Sequence, residues 1–296
     1  MNELTICMLF KWCEHRYLME WIDHHAKLGA DRFILVCDDD DLHYVREILK
    51  FFSHLDIELR PSTDYPNQTQ AGIYQWAMDT NQDSKLVCCL DDDEFVIVEE
   101  GYDFKEWLSR VHESHVPWLI DRVDFGNTFY EVNPPSQLGH LIYRTNKMSH
   151  FPKWICDPRQ VREHPLHFPP GEVCDAMGVR YDHAEDRQPD TSDWLREEDK
   201  WLQAPVRINH YTVRSIADFH HLIMKDTGRL VGKYPSWELV TLRRGIPLQY
   251  HFIEDKSATR YYDVERHCEF LRHLGTVVQP KPHPVVSDNW NRIVSQ

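Results

Sequence analysis

At 296 residues, with 42% hydrophobic and 27% charged residues, the chain is long and apolar enough to bury a full core, which argues against disorder. A formal net charge of −15 argues against a nucleic-acid partner, which needs a basic surface to displace counterions, and against docking on anionic lipid. No apolar run approaches the ~20 residues of a membrane span, so no integral membrane segment is expected.

The N-terminus reads directly as a strand, Leu4–Phe10, rather than as a secretory leader. Glu14–Leu28 carries Tyr17, Leu18, Trp21, Ile22, His25 and Leu28 at helical spacing, and Gly29 follows at the position that closes helices. Arg32–Cys37 is a second buried strand, followed by the acidic loop Asp38–Asp41. Leu42–Phe52 reads as a helix, Ile57–Leu59 as a short strand and Gln68–Met78 as a helix. Lys85–Leu90 is a third strong strand, running into Asp91-Asp92-Asp93-Glu94. Such alternation with short loops predicts an α/β fold with a mostly parallel sheet covered on both faces. Ligands of such sheets bind beyond the carboxyl ends of the strands. Lys11 and Glu14, Asp38–Asp41 and Asp91–Glu94 each follow a strand, and so are expected at one rim.

From about Trp118 to Tyr211 the pattern is irregular, broken by Pro134-Pro135, Pro152, Pro158 and Pro169-Pro170; loops of this kind carry specificity. Beyond it, Ser215–Lys225, Ser236–Arg244 before Gly245 and Arg260–Leu274 before Gly275 read as helices, followed by a proline-rich tail. The eight cysteines show no metal-ligand spacing. Cys7, Cys37, Cys88 and Cys89 fall in apolar strand-like runs as small hydrophobes, so reduced thiols and a cytoplasmic location are expected.

The most informative stretch is Leu90-Asp91-Asp92-Asp93-Glu94-Phe95-Val96. Carboxylates at i and i+2 leaving a buried strand can reach one hard cation, Mn²⁺ or Mg²⁺, which also takes phosphate oxygens and water. Such a cation neutralises a leaving diphosphate as a glycosidic bond breaks. Plainer readings stand beside this one. Lys11 and Glu14 can be a surface pair or helix cap, Asp38–Asp41 a solvated loop, and His210 a hydrogen-bonded core histidine.

The segment from Phe10 to His25, FKWCEHRYLMEWIDHH, with Leu28-Gly29 following, resembles the opening KNE…Y-L-x-EW-x-x-HH-x-x-LG pattern of the family 2-like and family 92-like glycosyltransferases. Gln70 within a helix, Asp91–Phe95 as DxDEF, Phe125-Gly126, and Ile208-Asn209-His210-Tyr211 with Arg214-Ser215 occur in the same order as in those families. The departure is Trp12-Cys13, where Asn is usual before the Glu. The resemblance implies a GT-A fold, Rossmann-like with a mostly parallel central sheet and a helical C-terminal extension. It also implies a nucleotide-sugar donor of UDP or GDP type, Mn²⁺ or Mg²⁺, inversion at the anomeric carbon and a glycan or glycolipid acceptor. The expected division is a catalytic domain over 1–215, split into a donor half at 1–118 and an acceptor half at 119–215, with a helical region at 216–296 packed on it.

By matching positions, Lys11, Glu14, Asp38, Asp40, Gln70, Asp91, Asp92 and Lys153 are expected to hold the nucleotide sugar. Asp91, Asp93 and His210 are expected to hold the cation. Inversion needs a carboxylate to take the acceptor proton, and Asp199, with Glu198 beside it, is expected in that role. Asp124 and Asp175 compete for it, and His164 and His167 are placed on the acceptor or diphosphate side. A metal-dependent nucleotidyltransferase is the nearest rival, but the first loop lacks a glycine-rich phosphate cradle. An inactive nucleotide- or sugar-binding module of the same fold is the alternative of a different class. A zinc hydrolase lacks an HExxH pair.

Overall fold

In a computed structural model of the chain, the described residues are 3–10, 15–38, 41–65, 69–126, 130, 133–148, 151–162, 167, 169–183, 204–211, 214–215 and 253–277. The first half alternates as expected: β1 (Leu4–Phe10), α1 (His15–Leu28), β2 (Arg32–Cys37), α2 (His43–Leu49), β3 (Asp56–Pro61), α3 (Gln70–Thr80) and β4 (Leu86–Asp91). β1, β2 and β4 are buried on both faces, and alternate residues serve different layers. Ile6, Met8, Phe33 and Leu35 pack with Leu18, Trp21 and Ile22 of α1, whereas Cys7, Ile34, Val87 and Cys89 pack with Ile73, Tyr74 and Ala77 of α3.

The chain then runs through β5 (Glu94–Val98), α4 (Phe104–Ser114), β6 (Trp118–Ile120), β7 (Arg122–Phe125), β8 (Tyr143–Met148), β9 (Lys153–Cys156), β10 (Val173–Asp175), β11 (Arg180–Tyr181), β12 (Val206–His210), β13 (Ile253–Glu254) and α5 (Val264–Val277). Among the described residues one sheet has the order β11-β10-β6-β9-β4-β1-β2-β3. β3, β2, β1 and β4 are parallel neighbours, and β9 is inserted antiparallel between β4 and β6. This is the mostly parallel α/β arrangement that the GT-A expectation demands. After β3 the chain returns to the far side of β1 to form β4, so the sheet switches direction between β1 and β4, the place where such folds bind ligands. A second sheet has the order β13-β8-β7-β12-β5.

The stretch from 118 to 211, irregular by sequence, contains seven of these strands, β6 to β12. None exceeds six residues, too short between prolines to leave a periodic signal. α4 has no counterpart in the sequence reading, although Asp103 caps it by accepting the Glu106 N–H at 3.0 Å. Gly29 ends α1 with φ of 111°, as expected. The helix expected over Arg260–Leu274 is corrected: a 3₁₀ segment spans Ser257–Tyr261, and α5 starts at Val264 behind Asp263, whose carboxylate accepts the Arg266 N–H at 2.9 Å. α5 runs through Gly275, which a helix tolerates at a cost of about 1 kcal/mol relative to alanine. The helices expected over Ser215–Lys225 and Ser236–Arg244 lie outside the described residues, apart from Ser215.

Cys7, Cys37, Cys88, Cys89, Cys156 and Cys174 are buried, and Cys268 is exposed. Among the described residues no helix is long and apolar enough to cross a membrane.

Candidate active site

β4 ends in Asp91, and through Asp92 and Asp93 the chain leaves the first sheet to enter the second at Glu94. Trp21 of α1 anchors this crossing, its indole N–H donating to the carbonyls of Glu94 at 2.8 Å and Asp91 at 3.2 Å. The fully buried Glu94 carboxylate accepts the Asp91 N–H at 2.8 Å. It also pairs with Lys153 of β9 at 3.1 Å and Arg122 of β7 at 3.2 Å. Lys153 reaches Asp91 Oδ2 at 2.8 Å, while Asp91 Oδ1 accepts from Gln70 at 2.5 Å and Tyr74 at 2.9 Å. Burial opposes the charge on Lys153, but the Glu94 and Asp91 carboxylates outweigh it and push its pKa up.

β12 lies between β5 and β7, and its register sets His210 opposite both Glu94 and Asp124. His210 Nδ1 stands 2.7 Å from Asp124 Oδ1, and Nε2 stands 3.5 Å from Asp93 Oδ1. Burial opposes a charged imidazole, but Asp93 and Asp124 overcome it and push His210 up to about 10. Burial likewise opposes ionisation of Asp93, yet His210, Arg214 and Arg122 hold it well below the usual carboxylate range. Arg214 reaches Asp92 Oδ2 at 3.4 Å and lies over the Tyr17 ring at 5.1 Å. The side chains of Asp92, Asp93 and Asp124 keep 18%, 19% and 19% exposure, so the acidic turn faces solvent through a wall of buried cations.

α1 also fixes the loop after β7. The Tyr17 hydroxyl donates to the Pro134 carbonyl at 2.7 Å, and the Glu20 carboxylate accepts the Ser136 hydroxyl and, at 2.9 Å, the Gln137 N–H. Ser215, beside Arg214, bonds Asn133 of the same loop. Burial pushes Glu20 up from 4.5 to about 7, against the opposing effect of its hydrogen bonds to Ser136 and Gln137. The folded chain therefore holds a proton between these values that the unfolded chain has released. That contribution is full below the unfolded value and is lost as pH rises through about 7, a difference on the order of 3 kcal/mol. Glu20→Gln, which mimics the protonated carboxyl, should flatten this dependence and gain on the wild type as pH rises from 5 to 8. Parallel curves of Tm against pH for the two proteins would refute the assignment.

Of the residues expected from sequence, Gln70, Asp91, Asp92, Asp93, Lys153 and His210 come together. Asp38 is exposed at the end of β2, where it accepts the Ser62 hydroxyl at 3.2 Å. His167 lies near Lys153, and burial with that ammonium pushes it down to about 4. Asp175 stands apart and holds its own hairpin, accepting the N–H groups of Met177 and Val179 at 3.0 and 2.9 Å. Lys11, Glu14, Asp40, His164, Glu198 and Asp199 lie outside the described residues. Sequence reasoning gave no role to Glu94, Arg122, Tyr74 or Arg214, and named Asp124 only as a competing base. Arg122 and Asp124 are spaced i, i+2, which on a strand means one face; that signal needed β7 to be recognised first.

Mg²⁺ and Mn²⁺ commonly take one or two carboxylates and complete their shell with substrate phosphates and water. Among the described residues no three His, Cys, Asp or Glu side chains form a metal-holding group. Asp93 Oδ1 and His210 Nε2 form a two-donor set with Asp124 behind the imidazole, which fits a cation shared with a diphosphate and not an all-protein cage.

No curated protein matches the chain. Among solved structures, TarS from S. aureus in complex with UDP-GlcNAc is 15% identical with a TM-score of 0.34, covering 53% of this chain and 45% of that one. HddC from Yersinia pseudotuberculosis is 11% identical with a TM-score of 0.31, over 54% of this chain and 80% of that one. A putative nucleotide-diphospho-sugar transferase from Desulfovibrio desulfuricans G20 is 10% identical with a TM-score of 0.32, over 84% and 99%. The chain thus spans less than half the length of the TarS chain in that complex. The family model for glycosyltransferase family 92 matches residues 2–220, which is most of the sequence and includes both the acidic turn and His210. The chain belongs to glycosyltransferase family 92.

Proposed function

We propose that the protein is a metal-dependent, inverting glycosyltransferase that moves a sugar from a nucleotide-diphosphate donor to a hydroxyl of a glycan or glycolipid. The observation that carries this reading is the meeting of Asp93 and His210 beside Asp91 and Asp92, at the carboxyl end of β4 where the sheet changes direction. Asp93 and His210 would hold Mn²⁺ or Mg²⁺, which would supply positive charge to neutralise the leaving diphosphate. Lys153, Gln70 and Tyr74 keep the Asp91 carboxylate in one orientation, from which it accepts a ribose hydroxyl of the donor. Arg214 adds a fixed positive charge beside Asp92. Lys11, Glu14, Asp38 and Asp40 complete the nucleotide side. Asp199, with Glu198 beside it, takes the acceptor proton as attack proceeds opposite the leaving group. The six buried cysteines suit action in the reducing cytoplasm.

Calorimetric titration of UDP, GDP and CDP, each with Mn²⁺ and with EDTA, tests this reading. Binding of one nucleotide that disappears in EDTA is the expected result. A nucleotide that binds equally well in EDTA removes the metal dependence, and no binding in any condition favours an inactive module.

A further inference from the structure

Asp124 competes by type for the role of catalytic base, but its surroundings assign it another. It sits on β7 directly beside His210 on the parallel strand β12. One of its oxygens, Oδ1, stands 2.7 Å from His210 Nδ1 and 3.6 Å from Arg122 Nε. Arg122 is itself tied to the buried Glu94 at 3.2 Å. The carboxylate is therefore directed at the imidazole that it orients, with the Arg122 guanidinium near enough to stabilise its charge. When a divalent cation displaces the Nε2 proton of an imidazolium, a carboxylate that accepts the Nδ1–H keeps the remaining proton on Nδ1, leaves Nε2 to the metal and holds the ring plane. Here Nε2 faces Asp93 Oδ1 across 3.5 Å.

We infer that Asp124 is a positioning residue, which aims His210 Nε2 at a divalent cation shared with Asp93, and is not the base that receives the acceptor proton. The inference rests on the proposed cation-dependent reading and deepens it. A base must present an accepting oxygen to the substrate hydroxyl. The Asp124 oxygen named here is instead directed at His210 and Arg122.

The test measures Mn²⁺ affinity by electron paramagnetic resonance, with the metal alone and with UDP, for the wild type, Asp124→Asn and Asp124→Leu. Loss of a carboxylate behind a ligating histidine typically weakens metal binding about 10- to 100-fold. That loss is expected for Asp124→Leu. A smaller loss is expected for Asp124→Asn, whose amide oxygen still accepts the Nδ1–H but carries no charge. At saturating Mn²⁺, UDP affinity should return to that of the wild type in both. Mn²⁺ affinity equal to the wild type in the two variants, with sugar transfer abolished, overturns the inference and returns Asp124 to the role of base. If Asp124→Leu does not fold, the near-isosteric Asp124→Asn decides by the same criterion. A wild type that binds no Mn²⁺, alone or with UDP, overturns the cation reading itself and the inference with it.

Discussion

Replacing Asp93 by alanine should abolish cation-dependent binding of the nucleoside diphosphate and slow release of the nucleotide from its sugar by about 100- to 1,000-fold. His210, Arg214 and Arg122 hold this carboxylate ionised against its burial, so it supplies a full negative charge 3.5 Å from His210 Nε2. Without it a cation keeps one protein donor, and three positive groups face the site with one anion fewer. Asp93→Asn should fall nearly as far, because it keeps the shape and removes the charge. Asp92→Ala should lose only several-fold, since that carboxylate meets Arg214 at 3.4 Å and stands outside the Asp93–His210 pair. Calorimetry with and without Mn²⁺, together with a nucleotide-release assay, measures both effects. An Asp93→Ala protein with wild-type affinity and wild-type metal dependence would sink the assignment.

Glu94→Ala should destabilise the protein by about 3–5 kcal/mol, the loss expected when one partner of a buried ion pair is removed. The Glu94 side chain is fully buried, and the cations it pairs with, Lys153 and Arg122, are only 3% and 11% exposed. Removing the carboxylate leaves two desolvated charges short of a partner and the Asp91 N–H without its acceptor. Lys153 retains Asp91 at 2.8 Å and Arg122 retains Asp124 at 3.6 Å, which points to the lower end of the range. Glu94→Gln keeps two hydrogen-bonding positions and should lose less. Urea denaturation monitored by tryptophan fluorescence measures both, and a loss under about 1 kcal/mol for Glu94→Ala would mean that the network is not a buried one.

The expected first half of the fold and the observed one agree element by element, because β1, β2 and β4 are continuous apolar runs and α1 carries its stripe at helical spacing. Such patterns follow from burial alone and can be read without a partner in view. The acidic turn was legible for a similar reason, since a run of carboxylates after a buried strand is expected at a rim, although Glu94, the last of the four, turned out to be fully buried. The short strands between 118 and 211 were not legible. Each is stable only through its neighbours, and β7 and β12 acquire meaning from pairing with each other.

The sequence by itself determined the α/β class, the parallel core of the main sheet, the family and the acidic turn at the end of β4, all of which depend on periodicity and order along one chain. Only the tertiary structure decided which carboxylate meets which cation. Lys153 arrives on Asp91 from β9, Arg122 on Glu94 from β7, and His210 between Asp93 and Asp124 from β12. These partners are separated by up to 117 residues, and charge interactions depend on distance in space and on burial, neither of which is written in the order of the residues.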